Sequence, residues 1–155
     1  MIRTSTYKRC TVARQPPVLA RRLTYLLGRT AGAAGRRANE KMAALGIDTR
    51  HYAVLVAIAD ADGPSQQEVS DALGIDRATL VALADDLEAS HLIRRERSDQ
   101  DRRAYALRLT SAGTALMHEA HTLMDQCEED FTGVLTPAER SQLADLLARL
   151  LNAAT

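Results

Sequence analysis

The sequence predicts a mainly α-helical chain with a single β-hairpin, on three observations. The composition is 46% hydrophobic with one Phe and no Trp, so the core is aliphatic, and its Leu and Ala favour helix. Apolar residues recur at helical spacing in six stretches, each bounded by cap and stop signals. Between the fourth and the fifth, residues 92–110 alternate apolar and polar residues instead. That stretch holds six arginines, although the formal net charge of the chain is zero.

Residues 1–16 read as a basic, flexible N-terminal arm. From Pro17 a long helix is expected to run to about Leu45, with Leu19, Leu23, Leu26, Leu27, Met42 and Leu45 on its apolar stripe. Gly28, Gly32 and Gly35 interrupt it, each costing a helix about 1 kcal/mol relative to Ala. They mark a weak spot or kink, or else room for another helix or a ligand. Gly46 ends the helix. Asp48 or Thr49 caps the second, in which Tyr52, Val54, Leu55 and Ile58 face inward, and Asp60-Ala61-Asp62-Gly63-Pro64 stops it.

Ser65-Gln66-Gln67-Glu68 is a capping box. The short helix that it opens presents Val69, Ala72 and Leu73 and ends at Gly74. Asp76 caps the fourth helix, whose core face is Leu80, Leu83, Ala84 and Leu87 and which breaks near Ser90-His91. Two strands follow. In the second, Tyr105, Leu107 and Leu109 alternate with Ala104, Ala106, Arg108 and Thr110, which gives one buried face. Thr110 or Ser111 starts a fifth helix through Leu116, Met117, Ala120, Leu123, Met124, Cys127 and Phe131. Thr136-Pro137-Ala138-Glu139 is a second capping box, and Leu143, Leu146, Leu147, Leu150 and Leu151 mark the last helix.

Four helices, a hairpin and two helices make a winged helix-turn-helix lobe with helical flanks. The flanking helices carry more apolar surface than one small domain covers, which suits an intertwined homodimer. The expected boundaries are 1–16 for the arm, 17–47 for an N-terminal dimerisation helix, 48–110 for the DNA-binding lobe and 111–155 for C-terminal dimerisation helices. Charge is unevenly placed: residues 1–50 hold 11 basic and 2 acidic side chains, residues 51–100 hold 4 and 10, and residues 101–155 hold 5 and 8. Nucleic-acid binding therefore cannot rest on a global positive field and must use local clusters, in the arm and the hairpin. No apolar run approaches the ~18 residues of a membrane span, and the basic N-terminus lacks a signal-type apolar segment. A cytoplasmic chain without membrane contact is expected.

From residue 17 onward, four stretches resemble the MarR (multiple antibiotic resistance regulator) family of dimeric winged-helix transcription factors. Leu45-Gly46-Ile47-Asp48-Thr49-Arg50-His51-Tyr52-Ala53-Val54-Leu55 is similar to the entry to that family's second helix. Gln67 to Leu80 resembles its helix-turn-recognition-helix. Asp99-Gln100-Asp101-Arg102-Arg103 with Leu107 to Gly113 resembles its wing and strand-to-helix junction, and Leu135-Thr136-Pro137-Ala138-Glu139 the start of its last helix. The resemblance implies a regulator, a repressor by default, that binds double-stranded DNA as a homodimer on a pseudo-palindrome. Its recognition helices would sit one turn, ~34 Å, apart.

It also implies that Arg103, at the wing tip, enters the minor groove beside Arg102. In an extended chain Asp101 and Arg103 point the same way, so the carboxylate can hold the guanidinium. On the recognition helix the outward face reads Ala78, Val81, Ala82, Asp85 and Asp86, flanked by Arg77 and Thr79. Apolar members of that face suit thymine methyls, Asp85 a cytosine amine, and Arg77 a guanine or a phosphate. Ser65 and Gln66 open the preceding helix at a phosphate-facing N-terminus, and Arg3, Lys8, Arg9 and Arg14 are further phosphate candidates.

The family likeness further implies a small aromatic or phenolic effector between the dimer helices and the lobe, with Tyr25, Arg29, His51, Tyr52 and His118 as candidate lining. Ligand binding would move the dimer to a half-site spacing that no longer fits DNA. No cofactor and no metal are expected. His118 and His121 share a helical face but lack further ligands for zinc, Cys10 precedes the position of oxidant-sensing cysteines, and Cys127 reads as a core residue. No Gly-rich phosphate loop or catalytic triad context is present, so an enzyme is not expected. The rival reading is a dimeric interaction module of the same fold that has lost DNA binding; the acidic recognition helix favours it and the arginine-rich wing opposes it.

Overall fold

The computed structural model describes residues 16–97 and 105–153. Contacts divide the chain into two compact units, one ending at Ala33 and one beginning at Ala34. In the first, a 3-10 turn at Leu19–Arg21 precedes the start of α1 (Leu23–Met42), whose residues from Ala34 on belong to the second. The helix thus starts later than Pro17, because Arg22 is extended (φ −90°, ψ 113°). Val18, Leu19, Leu23, Leu26 and Leu27 are exposed within this unit. α1 passes the glycines as one helix, and a Cβ at Gly28 or Gly35 would meet nothing within 4 Å. Among the described residues no close helix approach is made at Gly28 or Gly35.

The second unit carries α2 (Thr49–Asp60), α3 (Gln66–Leu73), α4 (Arg77–Ala89), β1 (Ile93–Arg97), β2 (Tyr105–Leu109), α5 (Ser111–Thr132) and α6 (Pro137–Asn152). Its core is aliphatic: Met42, Val54, Leu55, Val69, Leu80, Leu87, Ile93 and Leu107 are fully buried. Each such side chain contributes roughly 1.5–3 kcal/mol of burial. Gly46 at φ +73° turns the chain out of the 3-10 turn that follows α1. Asp48 then caps α2, accepting from the backbone N–H groups of Arg50 (2.9 Å) and His51 (3.0 Å). Burial pushes the Asp48 carboxyl up, but the His51 N–H, the Arg50 guanidinium and the nearby His51 ring outweigh it and hold it at about 2, against 3.8 ordinarily.

In α3 the buried residues are Val69 and Ser70, while Ala72 is exposed, contrary to the periodicity. Ser70 can go inside because its hydroxyl donates to the Ile75 carbonyl (2.6 Å), across the turn made by Gly74 at φ +61°. α4 buries the expected Leu80, Leu83, Ala84 and Leu87. The strands pair antiparallel with Arg95 opposite Leu107. Tyr105 is exposed and Ala106 buried, so β2 is not the one-faced strand that alternation suggested. The reason is a third backbone segment: Ser65 bridges Ala106, and the Leu107 N–H donates to the Pro64 carbonyl (2.8 Å).

Where the hairpin meets α5 the chains are in close contact. The Thr110 hydroxyl donates to the His91 carbonyl (2.8 Å) and accepts from the Gly113 N–H (3.0 Å). A Cβ at Gly113 would stand 1.9 Å from the Leu92 carbonyl oxygen. α5 buries Ala120 and Cys127. α6 opens with a capping box between Thr136 and Glu139 and buries no side chain; Leu143, Leu146, Leu147, Leu150 and Leu151 are 40–68% exposed. No single described helix is long and apolar enough to cross a membrane.

Two outcomes follow from these contacts. Gly113→Ala forces the hairpin root away from α5 and lowers unfolding free energy by roughly 2–4 kcal/mol, read by denaturant titration; an unchanged midpoint refutes the close seat. Asp48 is depressed in the fold, so its contribution is fully present above pH 3.8 and lost as pH falls through about 2. Asp48→Ala should cost about 1–2 kcal/mol at neutral pH, and the gap to wild type should close as titration enters that acid window.

Candidate nucleic-acid interface

Three elements of the second unit meet at one surface: the N-terminus of α3, the outward face of α4 and the root of the hairpin. Ser65 fixes the first. Its hydroxyl accepts from the Glu68 N–H (3.2 Å), and its own N–H donates to Glu68 Oε2 (2.7 Å). These bonds hold the Glu68 carboxyl below its usual range. Because Pro64 and Ser65 are also hydrogen-bonded to β2, the helix start and the hairpin form one piece.

Asp76 caps α4, accepting from the Thr79 N–H (2.9 Å) and hydroxyl (2.6 Å). The hydroxyl proton of Thr79 is therefore committed to the cap. Arg77, Ala78, Ala82, Asp85 and Asp86 are exposed, and Val81 is half-buried, so the face assigned as outward is outward. Asp85 is not a free acceptor, as expected for a cytosine contact; its Oδ1 takes a 2.6 Å bond from Arg95 Nη2. Asp86 lies 3.6 Å from His51 Nε2.

Half of the hairpin's arginines are paired inside the protein. Arg94 pairs with Glu96, Arg95 with Asp85 and Glu88, and Arg108 with Asp62 and, at 3.8 Å, Glu96. Three of the six arginines are thus matched by carboxylates, against the reading of the whole hairpin as a basic grip. Arg97 is exposed at the end of β1. Asp101, Arg102 and Arg103 lie outside the described residues, as do Arg3, Lys8, Arg9, Cys10 and Arg14. Gln66, with its amide oxygen turned to Arg95, accepts from Nη2 (2.9 Å) and Nε (3.1 Å). That orientation leaves its NH2 as the remaining donor, the polarity a phosphate oxygen requires.

The effector candidates are divided between the two units. Tyr25 is half-buried and Arg29 exposed in the first unit. His51 serves the α2 cap: its Nδ1 sits 2.8 Å from Asp48 Oδ1. Sequence reasoning missed this role, although Asp48 and His51 stand at capping-box spacing. Tyr52 meets not His118 but His121, with its hydroxyl 2.7 Å from Nδ1. Burial and the charges of Asp125 and Glu128 push the Tyr52 phenol up. His118 is exposed on α5. Among the described residues no group of three or more His, Cys, Asp or Glu side chains is placed to hold a metal ion.

The MarR family model matches residues 45–104, which takes in α2, both helices of the helix-turn-helix and β1. The transcriptional regulator HosA of Escherichia coli O111:H- is 32% identical over 102 residues, covering 66% of this chain and 76% of HosA. A repressor, CouR, bound to a 23-mer DNA duplex superposes with a TM-score of 0.83 at 30% identity, covering 90% of this chain and 99% of CouR. The chain belongs to the MarR family. A putative transcriptional regulatory protein for the hcr operon of Thauera aromatica is 34% identical over 105 residues, 68% of this chain. The match spans 63% of the Thauera protein's length and 66% of that of the E. coli K12 repressor MprA. CouR of Rhodococcus jostii bound to p-coumaroyl-CoA superposes at TM-score 0.79 with 26% identity, covering 87% of this chain and 95% of CouR. For the MarR family member described here, the winged helix-turn-helix predicted from the sequence is the observed fold.

Proposed function

We propose that the protein is a transcriptional regulator that binds duplex DNA as a homodimer and acts in the cytoplasm as a ligand-responsive repressor on a pseudo-palindromic site. The observation that carries this is the joined surface of α3, α4 and hairpin: an exposed small-residue face on α4 beside a capped helix start and the strands that lead to Arg102 and Arg103. CouR on its DNA duplex, a structural relative with the same fold over nearly its whole length, supports it.

In this reading Ala78, Val81 and Ala82 contact base edges, Arg77 and Ser65 with Gln66 meet phosphates, and Asp101 orients Arg103 in the minor groove. A second copy covers the exposed leucines of α6 and those near the start of α1. The reading includes no catalytic step. A small aromatic or phenolic acid is the effector class, by analogy with CouR and its p-coumaroyl-CoA; Tyr25, Arg29, His51, Tyr52 and His118 remain its candidate contacts.

Titration of duplex from the protein's own upstream region tests the reading. Binding should weaken steeply with salt, since phosphate contacts release counterions. Arg103→Ala should lose roughly tenfold or more in affinity and Asp101→Ala less. Equal binding by all three discards the wing mechanism. No binding by a dimeric wild type favours the interaction module, and a particle that stays monomeric by sedimentation removes the twofold reading. A panel of phenolic acids tested for release of bound duplex identifies the effector class.

A further inference from the structure

The outward face of α4 poses an electrostatic problem for the proposed function. Asp85 and Asp86 project from it, and Glu88 follows in its last turn. Carboxylates at a helix C-terminus are on the unfavourable end of the dipole, and next to a phosphate backbone they repel. The helix contributes one arginine, Arg77, at its opposite end.

Arg95 answers this from the neighbouring strand. Its Nη2 donates to Asp85 Oδ1 (2.6 Å), its Nη1 pairs with Glu88, and its backbone N–H donates to Glu88 Oε1 (3.2 Å). The same guanidinium reaches the Gln66 amide oxygen at the start of α3. Its side chain is 22% exposed, while Asp85 and Glu88 are 59% and 39% exposed, so the fork's geometry rather than burial fixes these pairs. One β1 side chain thus ties α3 and α4 to the hairpin. We propose that Arg95 is the positioning residue that makes an acidic recognition helix compatible with duplex DNA: it holds Asp85 and Glu88 against the hairpin, cancels part of their charge and aims the Gln66 NH2 outward.

This rests on the DNA-binding reading, and the wild-type arm of the test separates the two. Fluorescence anisotropy on the same duplex compares wild type, Arg95→Ala, Arg95→Lys, Asp85→Asn and the double variant Arg95→Ala/Asp85→Asn over a salt series. Arg95→Ala should weaken binding about tenfold at low salt, and the gap should narrow as salt screens the freed carboxylates. Arg95→Lys, which keeps the charge without the fork, should fall between. The double variant should return to within about threefold of wild type, although it lacks one more ion-pairing group. A purely structural role for Arg95 predicts the opposite, no recovery and no salt dependence of the gap.

Asp85→Asn alone should bind at least as tightly as wild type; it decides the matter if circular dichroism shows that Arg95→Ala does not fold. Equal binding by wild type and Arg95→Ala, a double variant no better than the single one, or weaker binding by Asp85→Asn overturns the inference and leaves the DNA-binding reading standing. A wild type that binds no duplex overturns both.

Discussion

The pairing of the Pro64–Ser65 segment with β2 is the constraint on which the rest of the site depends. Two backbone contacts, Leu107 N–H to Pro64 O and the Ser65–Ala106 bridge, add a third backbone segment beside the two-stranded hairpin. A lone hairpin is marginal in water. Here its inner residues, Ile93 and Leu107, are fully buried among the helices, and its outer edge is occupied by the residue that caps α3. Helix start and strand therefore cannot move independently, and the relative placement of groups proposed to meet phosphate and base is set by backbone bonds before any side chain is counted.

Electrostatics is a local matter in this protein. The zero formal charge conceals a basic first third and acidic remainder, and the described lobe uses much of its own arginine internally. Arg94 answers Glu96 on its own strand, while Arg95 and Arg108 answer carboxylates on other parts of the lobe. These pairs are exposed or half-exposed, so each contributes modestly to stability. Their larger effect is on direction: they determine which charges face outward. A lobe arranged in this way is less an electrostatic magnet than a shaped surface with a few unmatched groups.

Local signals were legible in the sequence, and signals that depend on third parties were not. The capping boxes at Ser65–Glu68 and Thr136–Glu139, the Asp76 cap, the stop at Gly46 and the core face of α4 all rest on residues within a turn of one another, and all are present. Alternation misassigned Tyr105 and Ala106 because the segment covering β2 comes from forty residues earlier in the chain. The expected inward face of α3 includes Ala72 and omits Ser70, because a helical period cannot see a carbonyl, that of Ile75, waiting to satisfy a hydroxyl. The pairing of the hairpin's arginines was hidden for a similar reason: Arg95 and Arg108 find Asp85, Glu88 and Asp62 outside the hairpin, and only the Arg94–Glu96 pair is local. Asp85 and Glu88, three apart on one helix opposite a cationic strand, were the available hint.

Gly113 carries a mechanical consequence. With the Leu92 carbonyl pressed where a side chain would otherwise stand, and Thr110 bonded to both sides of the junction, α5 leaves the hairpin root without any slack. Close-packed interfaces transmit displacement instead of absorbing it. α5 has 22 residues and is about 33 Å long, and its one fixed direction is set at this root. The first turn of α5 and the hairpin root are thus seated as one piece, and neither can be re-aimed without breaking that seat.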